Sequence, residues 1–324
     1  MKKWTLVTGG AGYVGSIVVD ELLARGHRVR VVDSLLHGSV PSLLLAWGKD
    51  DFEFVRGDVR DRSLMAEALK DVDKVVHLAA IVGDPACSRE PDLAREVNQG
   101  ATIALLEDAR SAAGVERFIF ASTCSNYGKL EGDTYATEEF DLAPVSLYAE
   151  TKVAAELQVL AAANGKLAPT CLRLATVFGT SPRMRFDLTV NEFTRDVALD
   201  KDLVVYGEQF WRPYVHVRDA ARAVATVLDA PREQVSGEVF NVGDTDENYR
   251  KLDIVGLLQE RFPEARVDYV HKDEDPRDYR VSFDKVRSKL GYEVERRVAD
   301  GIDEVVALMQ SGLVEDPYAS IYRN

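Results

Sequence analysis

The chain has little cysteine, histidine or excess positive charge and no long apolar run, and each shortage removes a class of protein. Three cysteines in 324 residues, Cys87, Cys124 and Cys171, stand far apart and form no C-x-x-C pair. That spacing builds neither a disulfide framework nor a structural zinc site, so buried free thiols are expected. The five histidines fall in no spacing with Asp or Glu that would hold a metal, and none is predicted. With 40 Lys plus Arg against 54 Asp plus Glu, a formal net charge of −14 excludes a general nucleic-acid binder while leaving room for a locally basic pocket. No apolar stretch approaches the roughly 20 residues of a membrane span, so no membrane partner is expected. Met1-Lys2-Lys3 runs straight into the first apolar stretch rather than into a signal peptide, and a cytoplasmic protein is expected.

What is present is a soluble globular composition, 46% hydrophobic and 29% charged, long enough for one large domain or two smaller ones. The apolar run 4–7 reads as a buried strand, and the pattern 16–25 as a helix packed on a sheet. Between them lies Thr8-Gly9-Gly10-Ala11-Gly12-Tyr13-Val14-Gly15. The glycines at 9, 12 and 15 permit a tight turn, a close approach of backbone to phosphate, and close packing of helix on strand. Amides at the helix N-terminus then face a pyrophosphate. A second strand, 28–32, ends at Asp33, eighteen residues after Gly15. A carboxylate near that separation of about 20 receives the adenosine ribose hydroxyls and repels a 2′-phosphate, which favours NAD over NADP.

Strand and helix patterns continue to alternate. Strands are expected at 52–56, 74–80, 117–121 and 170–174, with helices at 62–69 (capped by Asp61), from Pro91 to near Gly114, and at 146–164. Such alternation predicts an α/β fold, a doubly wound parallel Rossmann sheet with ligands at the carboxyl ends of its strands. Beyond Gly179 the rhythm breaks into helices at 186–198, 220–228, 252–262 and near 298–309, with strands at 203–206, 238–242 and 266–270. This second region reads as a smaller α/β substrate domain. The expected division is 1–179 and 180–324, with 213–243 returning to the first domain.

Tyr148 and Lys152 lie four apart on a predicted helix and so share a face. A nearby ammonium favours the phenolate, which then exchanges a proton with a substrate hydroxyl or carbonyl. Thr123 supplies a hydroxyl at the end of an earlier strand.

At this point the chain resembles the extended short-chain dehydrogenase/reductase family, in particular its nucleotide-sugar epimerases and dehydratases. The resemblance rests on TGGAGYVG at the start, Asp33, Gly57-Asp58-Val59, His77-Leu78-Ala79-Ala80, Asn98, the Ser-Thr-x-x-x-Tyr-Gly stretch ending at Gly128, Tyr148 with Lys152, Leu172-Arg173-Leu174, and Arg212 to Asp219. It implies NAD as cofactor, held by Gly9, Gly12, Tyr13, Val14, Gly15, Asp33, Leu78, Ala79 and Ala80, with Asp58 and Val59 beside the adenine. It implies Thr123 on the reacting sugar oxygen, Tyr148 as acid/base, and Lys152 on the nicotinamide ribose. Asn98 is expected to be a structural partner near the cofactor. In the second region, which becomes the nucleotide-sugar domain, Arg212 and Arg277 resemble pyrophosphate-binding arginines and Tyr206 a base-stacking position. Read singly, those arginines are equally surface ion pairs, and Tyr206 a core residue. Thr176 stands where many epimerases carry Asn, and Arg183 and Arg185 form a pair that binds substrate or holds a lid. His77 and His216 read as structural.

Where the 4,6-dehydratases carry Asp-Glu after the threonine, this chain has Cys124 and Ser125, which argues against elimination. The expected activity is therefore an NAD-dependent nucleotide-sugar 4-epimerase working through a transient 4-keto sugar. The alternatives are a 4-dehydrogenase or 4-ketoreductase that releases its product, and a non-catalytic dinucleotide-binding protein. A homodimer paired through 91–113 and 146–164 is also expected.

Overall fold

Neighbouring residues along the apolar strands go to opposite faces of one sheet, and both faces are covered. Leu6, Val32, Val75, Phe118, Phe120 and Cys171 belong to one core cluster, while Val7, Val31, Val76, Ile119 and Leu172 belong to another. Burial on both sides is why these segments read as nearly continuous apolar runs rather than alternating ones. The computed structural model describes residues 3–163, 165–275 and 277–324. Seven strands build the sheet: β1 (Trp4–Thr8), β2 (Arg28–Asp33), β3 (Phe52–Arg56), β4 (Val72–His77), β5 (Arg117–Thr123), β6 (Ala168–Leu174) and β7 (Glu238–Val242). All pairings are parallel, in the order β3-β2-β1-β4-β5-β6-β7. This is the doubly wound α/β architecture that the alternation of strands and helices predicts. The order reverses between β1 and β4, which opens a crevice at their carboxyl ends.

Helices Tyr13–Ala24 and Val217–Asp229 pack together on one face, and helices Arg62–Ala68, Thr102–Ser111 and Leu147–Ala161 cover the other. The last of these stops before the expected end at 164, a position outside the described residues. The helix expected to run from Pro91 is broken into Pro91–Arg95, a π-helical turn Glu96–Ala101, and Thr102–Ser111. The wide turn frees Asn98 for other work. Its amide donates to the Ile81 carbonyl at 2.9 Å and its oxygen accepts from the Ile81 amide at 2.7 Å, pinning the loop after β4.

The second region has its own core around Phe193, Val205, Tyr214, Ile254 and Ile302. Of the returning stretch, Trp211–His216 joins Thr176–Phe178 and Asn248–Arg250 in a small separate sheet, whereas Val217–Asp229 and β7 complete the main one. The helix expected at 186–198 begins only at Thr189. Leu188 is extended (φ −97°, ψ 134°) and so bounds the helix there, while the Phe186 amide donates to the Tyr322 carbonyl at 3.0 Å.

His77, at the end of β4, is fully buried between the Thr8 hydroxyl (2.6 Å from Nδ1) and the Thr102 hydroxyl (2.9 Å from Nε2). Burial, with a smaller contribution from the Lys152 charge, pushes its pKa down to about 3. The unfolded chain takes up this proton near pH 6.5, so His77 favours the fold above that pH and the favour drains away as pH falls from 6.5 towards 3. The slope for one such group is about 1.4 kcal/mol per pH unit. Urea midpoints of the wild type and His77→Gln measured at pH 7.5 and pH 4.5 should show the variant losing less on acidification.

Candidate active site

The loop after β1 turns at Gly9, whose φ is +73° and where a Cβ would lie 2.7 Å from the Ala79 nitrogen. At Gly15 a Cβ would fall 2.0 Å from the Gly9 carbonyl oxygen. These two positions exclude any side chain, so the start of helix Tyr13–Ala24 sits directly on the strand ends with its amides facing outward. A cavity of about 310 Å³ lies over them. Gly9, Gly12, Tyr13, Val14, Gly15, Asp33, Asp58, Val59, Leu78, Ala79 and Ala80 all line it. Asp33 closes one side, its Oδ2 accepting from the Ala11 amide at 3.0 Å and its Oδ1 from the Leu35 amide at 2.8 Å. Burial raises its pKa, and the two amides offset part of that rise. Asp58 is held differently, with the Arg60 guanidinium 2.8 Å away and its pKa lowered by that partner. Leu36, His37 and Ser39, from the loop after β2, and Asn324, from the far end of the chain, also line the cavity. The spacing of glycines carried no sign of them. Tyr13 reaches outward to the second region, its hydroxyl donating to the Gly179 carbonyl at 2.7 Å.

Tyr148 and Lys152 stand one turn apart on helix Leu147–Ala161, capped by Ser146, whose hydroxyl accepts from the Ala149 amide at 3.3 Å. Lys152 Nζ donates to the Ala121 carbonyl at 2.8 Å and lies 4.7 Å from the centre of the Phe120 ring. It is therefore fastened to β5 two residues before Thr123. Burial pulls its pKa down to about 8. The half-buried Tyr148 phenol is pushed upward by burial and by nearby Cys87, while the cation that opposes this rise is Arg185, which also lines the cavity. Thr123 ends β5, and its hydroxyl accepts from the Ser125 amide at 3.1 Å. One turn beyond Lys152, Glu156 is wholly buried and takes hydrogen bonds from Arg173 on β6 (2.6 Å from Nη2) and Ser122 on β5 (2.5 Å). Glu156 lies in no motif of the sequence that would mark it.

The sequence model of the NAD dependent epimerase/dehydratase family matches residues 5–243. The chain belongs to this family. It is 33% identical over 310 residues to the low-salt glycan biosynthesis protein Agl12 of Haloferax volcanii, covering 93% of this chain and 96% of that protein. It is 32% identical over 319 residues to the dTDP-glucose 4,6-dehydratase of an Actinoplanes species, with the same two coverages, 93% and 96%. The crystal structure of UDP-glucuronic acid 4-epimerase from Bacillus cereus, in complex with UDP-glucuronic acid and NAD, matches with a TM-score of 0.85 at 25% identity, covering 95% of this chain and 99% of that one.

Membership makes the chain an NAD-dependent enzyme of the epimerase/dehydratase type. The cavity fits that cofactor, because it lies over the glycine turn and the start of helix Tyr13–Ala24 and carries the Asp33 carboxylate on one side. In this epimerase/dehydratase the second region gathers a polar cluster. Arg212 Nη2 lies 2.7 Å from Asp275, and Arg277 bridges Asp275 (3.5 Å) and Asp84 of the first region (2.8 Å). Arg212 also lies 5.5 Å from the Tyr279 ring centre, and the Tyr279 hydroxyl is 3.3 Å from that of Ser125. Tyr206 is 53% exposed, with Lys272 Nζ 5.7 Å from its ring centre, so it is not a core residue. Thr176 is half-buried and pairs with Tyr214. His216 accepts from the Arg218 amide through Nδ1 and meets Glu304 through Nε2 at 3.0 Å, a structural tie. All three cysteines are buried and free. No group of three His, Cys, Asp or Glu able to hold a metal occurs among the described residues, and no helix there is long and apolar enough to cross a membrane.

Asp33→Ala should weaken NAD about tenfold or more, the loss expected for a hydrogen bond to a charged group, and narrow the preference over NADP. Titration of both nucleotides followed by tryptophan fluorescence measures this.

Proposed function

We propose that this chain is a nucleotide-sugar 4-epimerase that works through a transient 4-keto sugar. Tyr148 takes the proton of the C4 hydroxyl, and Thr123 orients and polarises the same oxygen. Lys152 holds the face of the helix against the end of β5 and supplies positive charge beside the cofactor ribose. NAD, when bound, supplies the hydride acceptor and later the donor. After the keto sugar turns over, Tyr148 returns its proton to the opposite configuration.

The observation that carries this reading over water elimination lies at Cys124 and Ser125. The Cys124 thiol is fully buried and donates to the Arg173 carbonyl at 3.2 Å, and burial drives its pKa far upward. It is neither placed nor charged to act as an acid/base. Ser125 faces Tyr279 and has no carboxyl group.

The diphosphate reading rests on Arg212 and Arg277, whose present partners are carboxylates. Asp275 and Asp84 occupy the hydrogen-bonding forks that phosphate oxygens suit equally well. Through Tyr279 and Ser125 this cluster continues to the end of β5, which puts a sugar linked to that diphosphate within reach of Thr123. Exposed Tyr206 offers a stacking face for the base. Asn248–Arg250, Leu203–Tyr206 and the segments around them in 180–324 thus form the nucleotide-sugar side, and 1–179 the cofactor side.

Incubation with UDP-, dTDP-, GDP- and CDP-sugars in deuterated buffer, followed by NMR, tests the reading. The wild type should interconvert C4 epimers of one of them with no ring deuterium and no net NADH. Tyr148→Phe should lower turnover about 10²–10⁴-fold, the range for loss of a positioned acid/base. A released 4-keto or 6-deoxy product, or deuterium on a ring carbon, would replace epimerisation by another reaction.

We also propose a homodimer through the outer faces of helices Thr102–Ser111 and Leu147–Ala161. Leu157 is 57% exposed there, beside half-buried Val153, Ala154, Ile103 and Ala104. Sedimentation should give a dimer for the wild type and a monomer for Leu157→Glu.

A further inference from the structure

We propose that Arg183, carried by the second region, is a ligand of the cofactor pyrophosphate and completes the dinucleotide site from the side opposite the glycine loop. The inference rests on the cofactor site alone and holds whichever sugar the enzyme accepts.

Arg183 is only 5% exposed and lines the same cavity as Gly12, Tyr13 and Asp33. Its Nη2 donates to the Arg323 carbonyl at 2.9 Å, but its buried Nε has no partner. No carboxylate lies within ion-pair distance of it among the described residues. A buried guanidinium without an anion is costly, and a fold keeps one only where another gain offsets the cost. Its neighbour Arg185 is in a different position, with both sides of its fork taken by Asp187 at 2.9 and 2.6 Å. Arg183 is thus the guanidinium lining the cavity whose fork holds no carboxylate directly. Burial and the repulsion of Arg185 draw its pKa down to about 10, and the more distant charges of Asp187 and Asp33 oppose that fall only in part.

The chain also places this cation over the phosphate-binding end of the helix. Two residues earlier, Ser181 donates to the Tyr13 carbonyl at 2.7 Å and meets the Ser16 hydroxyl at 3.1 Å. The segment is thus stitched to the start of helix Tyr13–Ala24, whose amides approach the pyrophosphate from the other side. A planar fork suits two phosphate oxygens at once. The substrate diphosphate is a poorer match for Arg183, because Arg212 and Arg277 are grouped around Asp275 in another part of the molecule.

The test compares ADP, which carries the diphosphate, with adenosine, which does not, on protein stripped of nucleotide. By calorimetry, Arg183→Met should bind ADP and NAD at least about tenfold more weakly than wild type, with adenosine unchanged within about twofold. Arg183→Lys, which keeps the charge without the fork, should recover part of the loss. In thermal melts, Arg183→Met should be as stable as wild type or more so without ligand, yet gain less from NAD. Equal losses for ADP and adenosine, or none for ADP, would overturn the assignment. So would failure of Arg183→Met to fold, since that makes the guanidinium a structural element. Wild-type protein that binds neither ADP nor adenosine would instead remove the cofactor site, and the proposal with it.

Discussion

The position of helix Leu147–Ala161, which carries Tyr148 and Lys152, depends on a buried ion pair. Glu156 and Arg173, nearly inaccessible to solvent, clamp helix Leu147–Ala161 against β5 and β6. Ser122 on β5 joins the same carboxylate, and Arg173 Nη1 passes on to the Tyr127 hydroxyl at 2.8 Å, which donates to Asn241 on β7. Tyr148, Lys152 and Glu156 recur every fourth residue, so what fixes Glu156 also fixes the face that carries the phenol and the ammonium. Breaking such a pair by removing one partner typically costs about 3–5 kcal/mol, because the remaining charge stays buried. A hydrophobic replacement of similar volume would lose the directionality that hydrogen bonds supply. The helix would still pack, but its register against Thr123 would be less well defined.

Around this clamp the molecule sets two kinds of polar group on different supports. Over the strand ends lies rigid backbone, set by glycines with no room for a side chain. The second region contributes guanidinium groups held by carboxylates, Arg212 and Arg277 with Asp275 and Asp84. Arg277 is the sharper case, since its partner Asp84 belongs to the first region and the ion pair spans the two. Tyr13, Asn191, Ser181 and Gly179 form a second seam between the regions, close to the glycine loop.

Local chemistry was legible from residue order because it depends on short separations. Gly9 and Gly15 leave no room for a Cβ in a turn packed so closely, Asp33 follows from the length of one strand–helix–strand unit, and Tyr148 with Lys152 follows from the pitch of a helix. The alternation of strands and helices likewise implied a parallel sheet covered on both faces. The same local reasoning misjudged 91–113 and 186–198. In the first, a wide turn at Glu96–Ala101 carries Asn98, which holds Ile81; in the second, extended backbone at Leu188 delays the helix to Thr189.

The sequence by itself therefore determined the fold class, the glycine turn after β1 and the placing of Tyr148 and Lys152 one turn apart on a helix, each written within a few tens of residues. Only the tertiary structure decided what surrounds them. It brought Asn324 and the loop at Leu36 to the cofactor cavity, buried Cys124, tied Glu156 to Arg173, and left Arg183 buried without a direct ion pair. Those facts arise from contacts between distant segments, where burial and the presence or absence of a partner set the energy of each charge, and no spacing along the chain records them.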